Sequence, residues 1–194
     1  MAAVPVLLEK YPFRREQLAA IQGFWCGGAD WEVEVSNWIR GVGMDSVLEY
    51  DELPDCQIWL YGTAEHGLVG FSSLKRTRWR WPTQADRAVT LSMIPMLGIQ
   101  YQFRGQPHGE SERRFADQIL DDVIHEAMQH RERQPLLGLY VHPMNARAIA
   151  FYRRAGFTDF DKTWTNPETG LIYPSMLLDL HPPAREEAGS EDSK

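Results

Sequence analysis

Two periods of apolar spacing run through the chain. Val4 to Leu8 is a short apolar run that reads as a first strand. Arg14 to Phe24 carries Leu18, Ile21 and Phe24 at helical spacing, and Cys26-Gly27-Gly28 breaks that helix. Asp30 is placed to cap a second helix, whose apolar face is Val33, Val35, Trp38 and Ile39. Gln57 to Tyr61 and Gly67 to Leu74 read as strands joined by a turn at Ala64-Glu65-His66-Gly67. The second runs on into Lys75-Arg76-Thr77-Arg78-Trp79-Arg80-Trp81. Ala88 to Tyr101 is rich in Val, Leu, Ile and Met and reads as a long central strand. Pro95 and Gly98 within it predict a bulge or splay instead of a regular ladder.

Beyond the loop Arg104-Gly105-Gln106-Pro107-His108-Gly109, a helix beginning near Glu110 is expected. Phe115, Ile119, Leu120, Val123, Ile124 and Ala127 share one face of it. Leu136 to Val141 is a short buried strand. Asn145 to Ala155 is a helix with Ala148, Phe151, Tyr152 and Ala155 on one side and Gly156 as its left-handed stop. Thr158 to Trp164 and Leu171 to Leu180 are two further strands around the turn Asn166-Pro167-Glu168-Thr169-Gly170. The order predicts an α/β domain over residues 1–180 with a mixed sheet. His181 to Lys194 lacks any large apolar residue and is expected to be a flexible acidic tail.

The 194 residues suit one ordinary domain, and 43% apolar content with seven Trp, seven Tyr and eight Phe excludes a disordered chain or a coiled coil. The net charge of -7 argues against non-specific nucleic-acid affinity, although a local patch overrides a global charge. Cys26 and Cys56 form no C-x-x-C pair, and no metal site is assigned. The first residues lack a basic segment before the apolar run, and no apolar stretch suits a membrane span. A cytoplasmic setting is the expectation.

A helix N-terminus exposes unpaired N–H groups at the positive end of its dipole. A glycine-containing loop lets those groups close on phosphate oxygens, and Arg104 adds a cation, so the strand–loop–helix unit predicts a diphosphate site. No Lys-Ser/Thr follows, which excludes a Walker loop, and the Rossmann glycine spacing is missing. A plain strand-to-helix turn is the competing reading of the loop alone.

The segment Leu139-Tyr140-Val141-His142-Pro143-Met144-Asn145 through Phe151-Tyr152-Arg153-Arg154-Ala155-Gly156-Phe157 resembles the signature of the GNAT superfamily of N-acetyltransferases. Asn145, Ala148, Tyr152, Gly156 and Phe157 fall at matching positions. Arg104 and Gly109 resemble the ends of that family's R-x-x-G-x-G/A loop, with Pro107 standing where Gly is usual. The likeness covers about Val69 to Phe157. It implies a mixed, splayed central sheet flanked by helices, and acetyl-CoA as co-substrate. Its pantetheine would pair with Leu97, Gly98 and Ile99. Its pyrophosphate would lie on Arg104, Gly105, Gln106, Pro107, His108, Gly109 and Glu110, and Asn145 would bond the pantetheine. Tyr152 matches the family's general acid, which protonates the departing thiolate as an amine attacks the thioester. A core aromatic is the plainer reading of Tyr152.

No general base is evident in the sequence. Glu65 and His66 on a turn, and Asp51, Glu52 and Asp55 before a strand, are candidates, with solvated surface charges the plainer reading, and a water chain or deprotonation of the amine before binding stands equally open. His108 and His142 lie near the cofactor loops. Arg76, Arg78 and Arg80 fall on one strand face and Thr77, Trp79 and Trp81 on the other, a stripe that suits RNA phosphates or a plain solvated face. Gly23-Phe24-Trp25-Cys26-Gly27 resembles the F-x-C-G opening of acetyltransferase toxins that modify aminoacyl-tRNA. The readings kept are an N-acetyltransferase acting on an amine, a toxin-like acetyltransferase, and a non-catalytic acyl-CoA-binding module. Exposed aromatics make a homodimer a further expectation.

Overall fold

The computed structural model describes residues 8–43, 45–81, 84–107 and 113–181. The strands are β1 (Glu9–Pro12), β2 (Cys56–Thr63), β3 (Gly67–Trp81), β4 (Gln84–Ile94), β5 (Leu97–Ile99), β6 (Leu136–Tyr140), β7 (Thr158–Thr165) and β8 (Ile172–Asp179). The helices are α1 (Leu18–Ile21), α2 (Asp30–Arg40), α3 (Val47–Asp51), α4 (Phe115–Met128) and α5 (Ala146–Arg154). Single 3-10 turns occur at Arg15–Gln17 and Tyr101–Phe103. The eight strands form one sheet in the order β1-β2-β3-β4-β6-β8-β7, with β5 also on β3. Every pairing is antiparallel except β4 with β6. This is the mixed α/β architecture the sequence predicts.

Successive strand residues point to opposite faces, so the sheet carries two apolar layers. Phe24, Trp38, Ile39, Ile58, Leu60 and Phe71 pack beneath α1, α2 and α3. Leu120, Val123, Leu139, Val141, Phe157 and Met176 pack beneath α4 and α5.

Several boundaries differ from the sequence reading. The first strand is Glu9–Pro12, and residues 1–7 lie outside the described residues. Arg14 to Phe24 is not one helix but a 3-10 turn followed by the four-residue α1. Phe24 leaves the helical path and packs edge-on to Phe71, at 5.4 Å between ring centres. The cap of α2 is Ala29, whose N–H is taken at 2.9 Å by Glu32 Oε2, so Asp30 is already helical. Helix α4 begins at Phe115, not near Glu110. Pro107 bridges Arg114 in antiparallel fashion and holds it extended, and Asp117 accepts the Arg114 N–H at 3.3 Å. Residues 182–194, where the tail was expected, lie outside the described residues.

Candidate functional site

The expected bulge at Pro95 is where two strands part. β4 pairs with β6 through Ser92, Met93 and Ile94 against Leu137, Gly138 and Leu139. Beyond it β5 stays on β3, with Ser72, Phe71 and Gly70 opposite Leu97, Gly98 and Ile99. β6 stays on β8, and the Val141 N–H continues that ladder to the Pro174 carbonyl at 3.0 Å. The buried Ser73 closes the bulge. Its hydroxyl donates to the Met96 carbonyl and accepts the Met96 N–H, both at 2.9 Å, and its own N–H donates to the same carbonyl at 3.0 Å.

Antiparallel pairing turns alternate residues toward the partner. The Gln100 N–H donates to Val69 at 2.9 Å, so Gly98 and Gln100 face β3 while Leu97 and Ile99 present their backbone to the gap. Of the three expected pantetheine partners, two therefore face the gap. Gly98 instead is the point of close approach between sheet and helix, where a side chain would collide with Phe71 and Val35. The gap edge is partly occupied. The Ile99 backbone hydrogen-bonds the Cys26 thiol, and the Tyr101 N–H donates to the Trp25 carbonyl at 2.9 Å. Burial pushes that thiol up to about 11, so Cys26 is neutral near pH 7.

The loop after β5 differs from the expected cradle in its cations. The Arg104 guanidinium pairs with Glu32. Burial works against the Glu32 charge, but the Arg104 and Ala29 hydrogen bonds and the charges of Arg104 and Arg147 outweigh it and hold the carboxyl below its usual value. Gly27 beside this pair takes a φ of 141°, which a side chain would strain, and a side chain there would also displace the Glu32 carboxylate. Gly105 takes a left-handed φ of 70°, and its open face lies against the exposed Arg147 guanidinium. Arg147, in the first turn of α5, was not singled out from the sequence; a cation two residues beyond the signature Asn was the available signal. The Gln106 side-chain amide donates back to the Gln102 carbonyl at 2.7 Å. His108, Gly109 and Glu110 lie outside the described residues.

Asn145 caps α5, its Oδ1 accepting the Ala148 N–H at 3.0 Å. Its amide nitrogen has no protein partner among the described residues. Tyr152, in the last turn of α5, is 9% exposed in a cluster with Leu139, Val141 and Phe157. Its ring meets Phe157 edge-on at 5.5 Å, and no hydrogen bond reaches its hydroxyl among the described residues. Burial pushes the phenol up to about 12. The groove between α4 and α5 holds a cavity of about 180 Å³ lined by Asp117, Leu120, Asp121, Phe151, Arg154 and Ala155.

The base candidates from the sequence are engaged elsewhere. Asp51 and Glu52 pair with Arg15 at 3.1 and 2.7 Å. Glu65 and His66 face each other on the β2–β3 turn at 3.8 Å, and Asp55 is exposed. A different carboxylate stands at the gap. Helix α2 bridges its two arms: Val35 lies on Gly98 of the β5 arm, while Glu34 accepts the Tyr173 hydroxyl at 3.0 Å on the β8 arm. The Trp31 ring lies tilted against His142 at 5.2 Å between ring centres, and the His142 ring meets Tyr173 edge-on at 5.4 Å. His142 Nδ1 accepts the Met144 N–H at 3.2 Å. Burial raises the Glu34 carboxyl, the nearby Asp45 adds to that, and Tyr173 and His142 oppose it. Sequence alone gave no sign of this group, because Glu34 and Tyr173 are separated by 139 positions.

No protein-family model matches the chain, and no curated protein matches it. Solved structures do. A bacterial toxin aligns at 19% identity and TM-score 0.62, over 91% of this chain and 92% of its own. A variant of the AtaT toxin, bound to the C-terminus of the antitoxin AtaR and acetyl-CoA, aligns at 12% identity and TM-score 0.59, over 89% and 93%. The ribosomal-protein-S18-alanine N-acetyltransferase from Escherichia coli aligns at 12% identity and TM-score 0.59, over 93% and 98%. The chain has the fold of the GNAT N-acetyltransferases and GNAT-fold toxins.

Proposed function

We propose that this chain is an acetyl-CoA-dependent N-acetyltransferase. The observation that carries the reading is the parting of β5 from β6 beside a glycine loop and the signature helix. The backbone of Leu97 and the carbonyl of Ile99, whose N–H is taken by Cys26, would hold the pantetheine. An N–H on that edge would polarise the thioester carbonyl as the oxyanion develops. The Gly105 loop and Arg147 would take the pyrophosphate, and the Asn145 amide would donate to the arm. Tyr152 supplies the proton to the leaving thiolate. A phenol held neutral to about pH 12 keeps that proton across the working range, and general acids contribute roughly 10²–10⁴-fold. Packed among hydrocarbon side chains, it reaches sulfur only where the bound arm takes the place of its apolar neighbours.

Turnover of acetyl-CoA against a panel of primary amines tests the reading. Steady CoA release that falls about 100-fold in Tyr152→Phe, with acetyl-CoA affinity kept, is the expected outcome. Tight binding without turnover on any amine would instead assign a non-catalytic acyl-CoA module.

A second reading makes aminoacyl-tRNA the acceptor. Arg76, Arg78 and Arg80 are exposed along β3 and carry no ion pair among the described residues, and two of the structural neighbours are toxins.

A further inference from the structure

The transferase reading leaves one requirement unmet. An amine near pH 7 is mostly an ammonium and cannot attack until it loses a proton. Glu34 is the carboxylate the fold sets at the mouth of the gap. It is half-buried, and one oxygen is fixed by the Tyr173 hydroxyl. That hydroxyl is itself held by the Asn166 side chain of the β7–β8 turn. The other oxygen, Oε1, has no partner among the described residues. A partly dry carboxylate with an open oxygen is costly unless a cation covers it. The surroundings favour such a cation. Tyr173, which holds the carboxylate, continues through the His142 ring to Trp31 as one contiguous aromatic group, and aromatic faces attract ammonium groups. Asp45 on the α2–α3 loop adds a second negative charge within reach of Glu34.

Resting on the transferase reading, we propose that the acceptor is a cationic amine seated on Trp31, His142 and Tyr173, and that Glu34 takes its proton. The ammonium gives one proton to the Glu34 carboxylate. The freed lone pair forms the C–N bond to the thioester carbon, and the C–S bond breaks. A second nitrogen proton replaces the one Tyr152 gives to the thiolate, the amide keeps the third, and Glu34 returns its proton to solvent. Glu34 must be ionised to act. The groups that face it are Tyr173 from β8, His142 from the β6–α5 loop and Asp45 from the α2–α3 loop. Activity therefore falls on the acid side as Glu34 protonates.

Benzylamine and its neutral counterpart benzyl alcohol are the probes, followed through the ring resonances of His142 and the tryptophans. Benzylamine is expected to shift them and benzyl alcohol not. Glu34→Gln is expected to weaken benzylamine about tenfold or more, and Tyr173→Phe to weaken it less, because the ring remains. In turnover with benzylamine, the wild-type rate is expected to level off once Glu34 is ionised, on the acid side of the probe's own ionisation. The Glu34→Gln rate should keep climbing toward the probe's own ionisation. Equal binding of the two probes, no shift with either, or an unchanged profile in Glu34→Gln overturns the proposal. Acetyl-CoA titration of the same samples separates the two readings. Amine binding through Glu34 without acetyl-CoA binding keeps the seat and removes the transferase. Acetyl-CoA turnover indifferent to Glu34→Gln does the reverse.

Discussion

Ser73 shows how much of the site rests on single side chains. Its hydroxyl answers both the N–H and the C=O of Met96, the residue at which β4 stops following β6. Alanine there leaves the half-buried Met96 N–H without that partner and its carbonyl with the Ser73 N–H alone. Ser73→Ala is expected to cost about 1–3 kcal/mol in chemical denaturation, and to weaken acetyl-CoA binding as the arms lose their fixed spread. A variant of unchanged stability would show that Pro95 alone sets the bulge. Pro95 was legible because proline cannot donate to a ladder. Ser73 was not, because a serine inside an apolar run carries no sign of the carbonyl it will meet 23 positions on. The same limit hid Arg147 and Glu34, whose roles come from residues distant in the chain.

Among the elements, α5 was read most fully from sequence. Asn145 caps it, Tyr152 is on its buried side, and Gly156 takes the left-handed φ of 93° that ends it. Its cap also separates two roles of one residue. Asn145→Asp keeps an oxygen for the Ala148 N–H but removes the amide donor, whereas Asn145→Ala removes both. Thermal unfolding and acetyl-CoA titration of the pair are expected to show about 1 kcal/mol lost only in the alanine variant, and weaker binding in both. Full affinity in Asn145→Asp would restrict the residue to capping. Helix α4 was read correctly along its apolar face but not at its start, since the Pro107–Arg114 bridge is a pairing across a loop and leaves no local period. The short α3 was missed, as five residues are too few for a helical repeat to declare itself.

At the scale of the whole molecule, α2 spans the two arms of the parted sheet, with Val35 on Gly98 and Glu34 on Tyr173. The arginine stripe lies on the opposite sheet face, continuing the side that Leu74 shares with α4 and α5. If that stripe tracks RNA phosphates, Arg76→Ala and Arg78→Ala are each expected to lower the salt slope of tRNA binding by about 1. An unchanged slope would remove the aminoacyl-tRNA reading. A net charge of -7 means that such binding must come from the local patch. The alternation of Arg76, Arg78 and Arg80 with Thr77 and Trp79 was plain in the sequence, and the structure bears it out, with the arginines exposed and Trp79 buried. What the sequence withheld was how the front helices meet the far end of the sheet, which only tertiary packing decides. The central claim is that the gap between β5 and β6, with the Gly105 loop and Arg147, is built for acetyl-CoA. Calorimetric titration of the intact chain with acetyl-CoA tests it most directly: one site per chain, weakened about tenfold by Arg147→Ala, is the predicted result, and no heat of binding, or binding indifferent to that substitution, would contradict it.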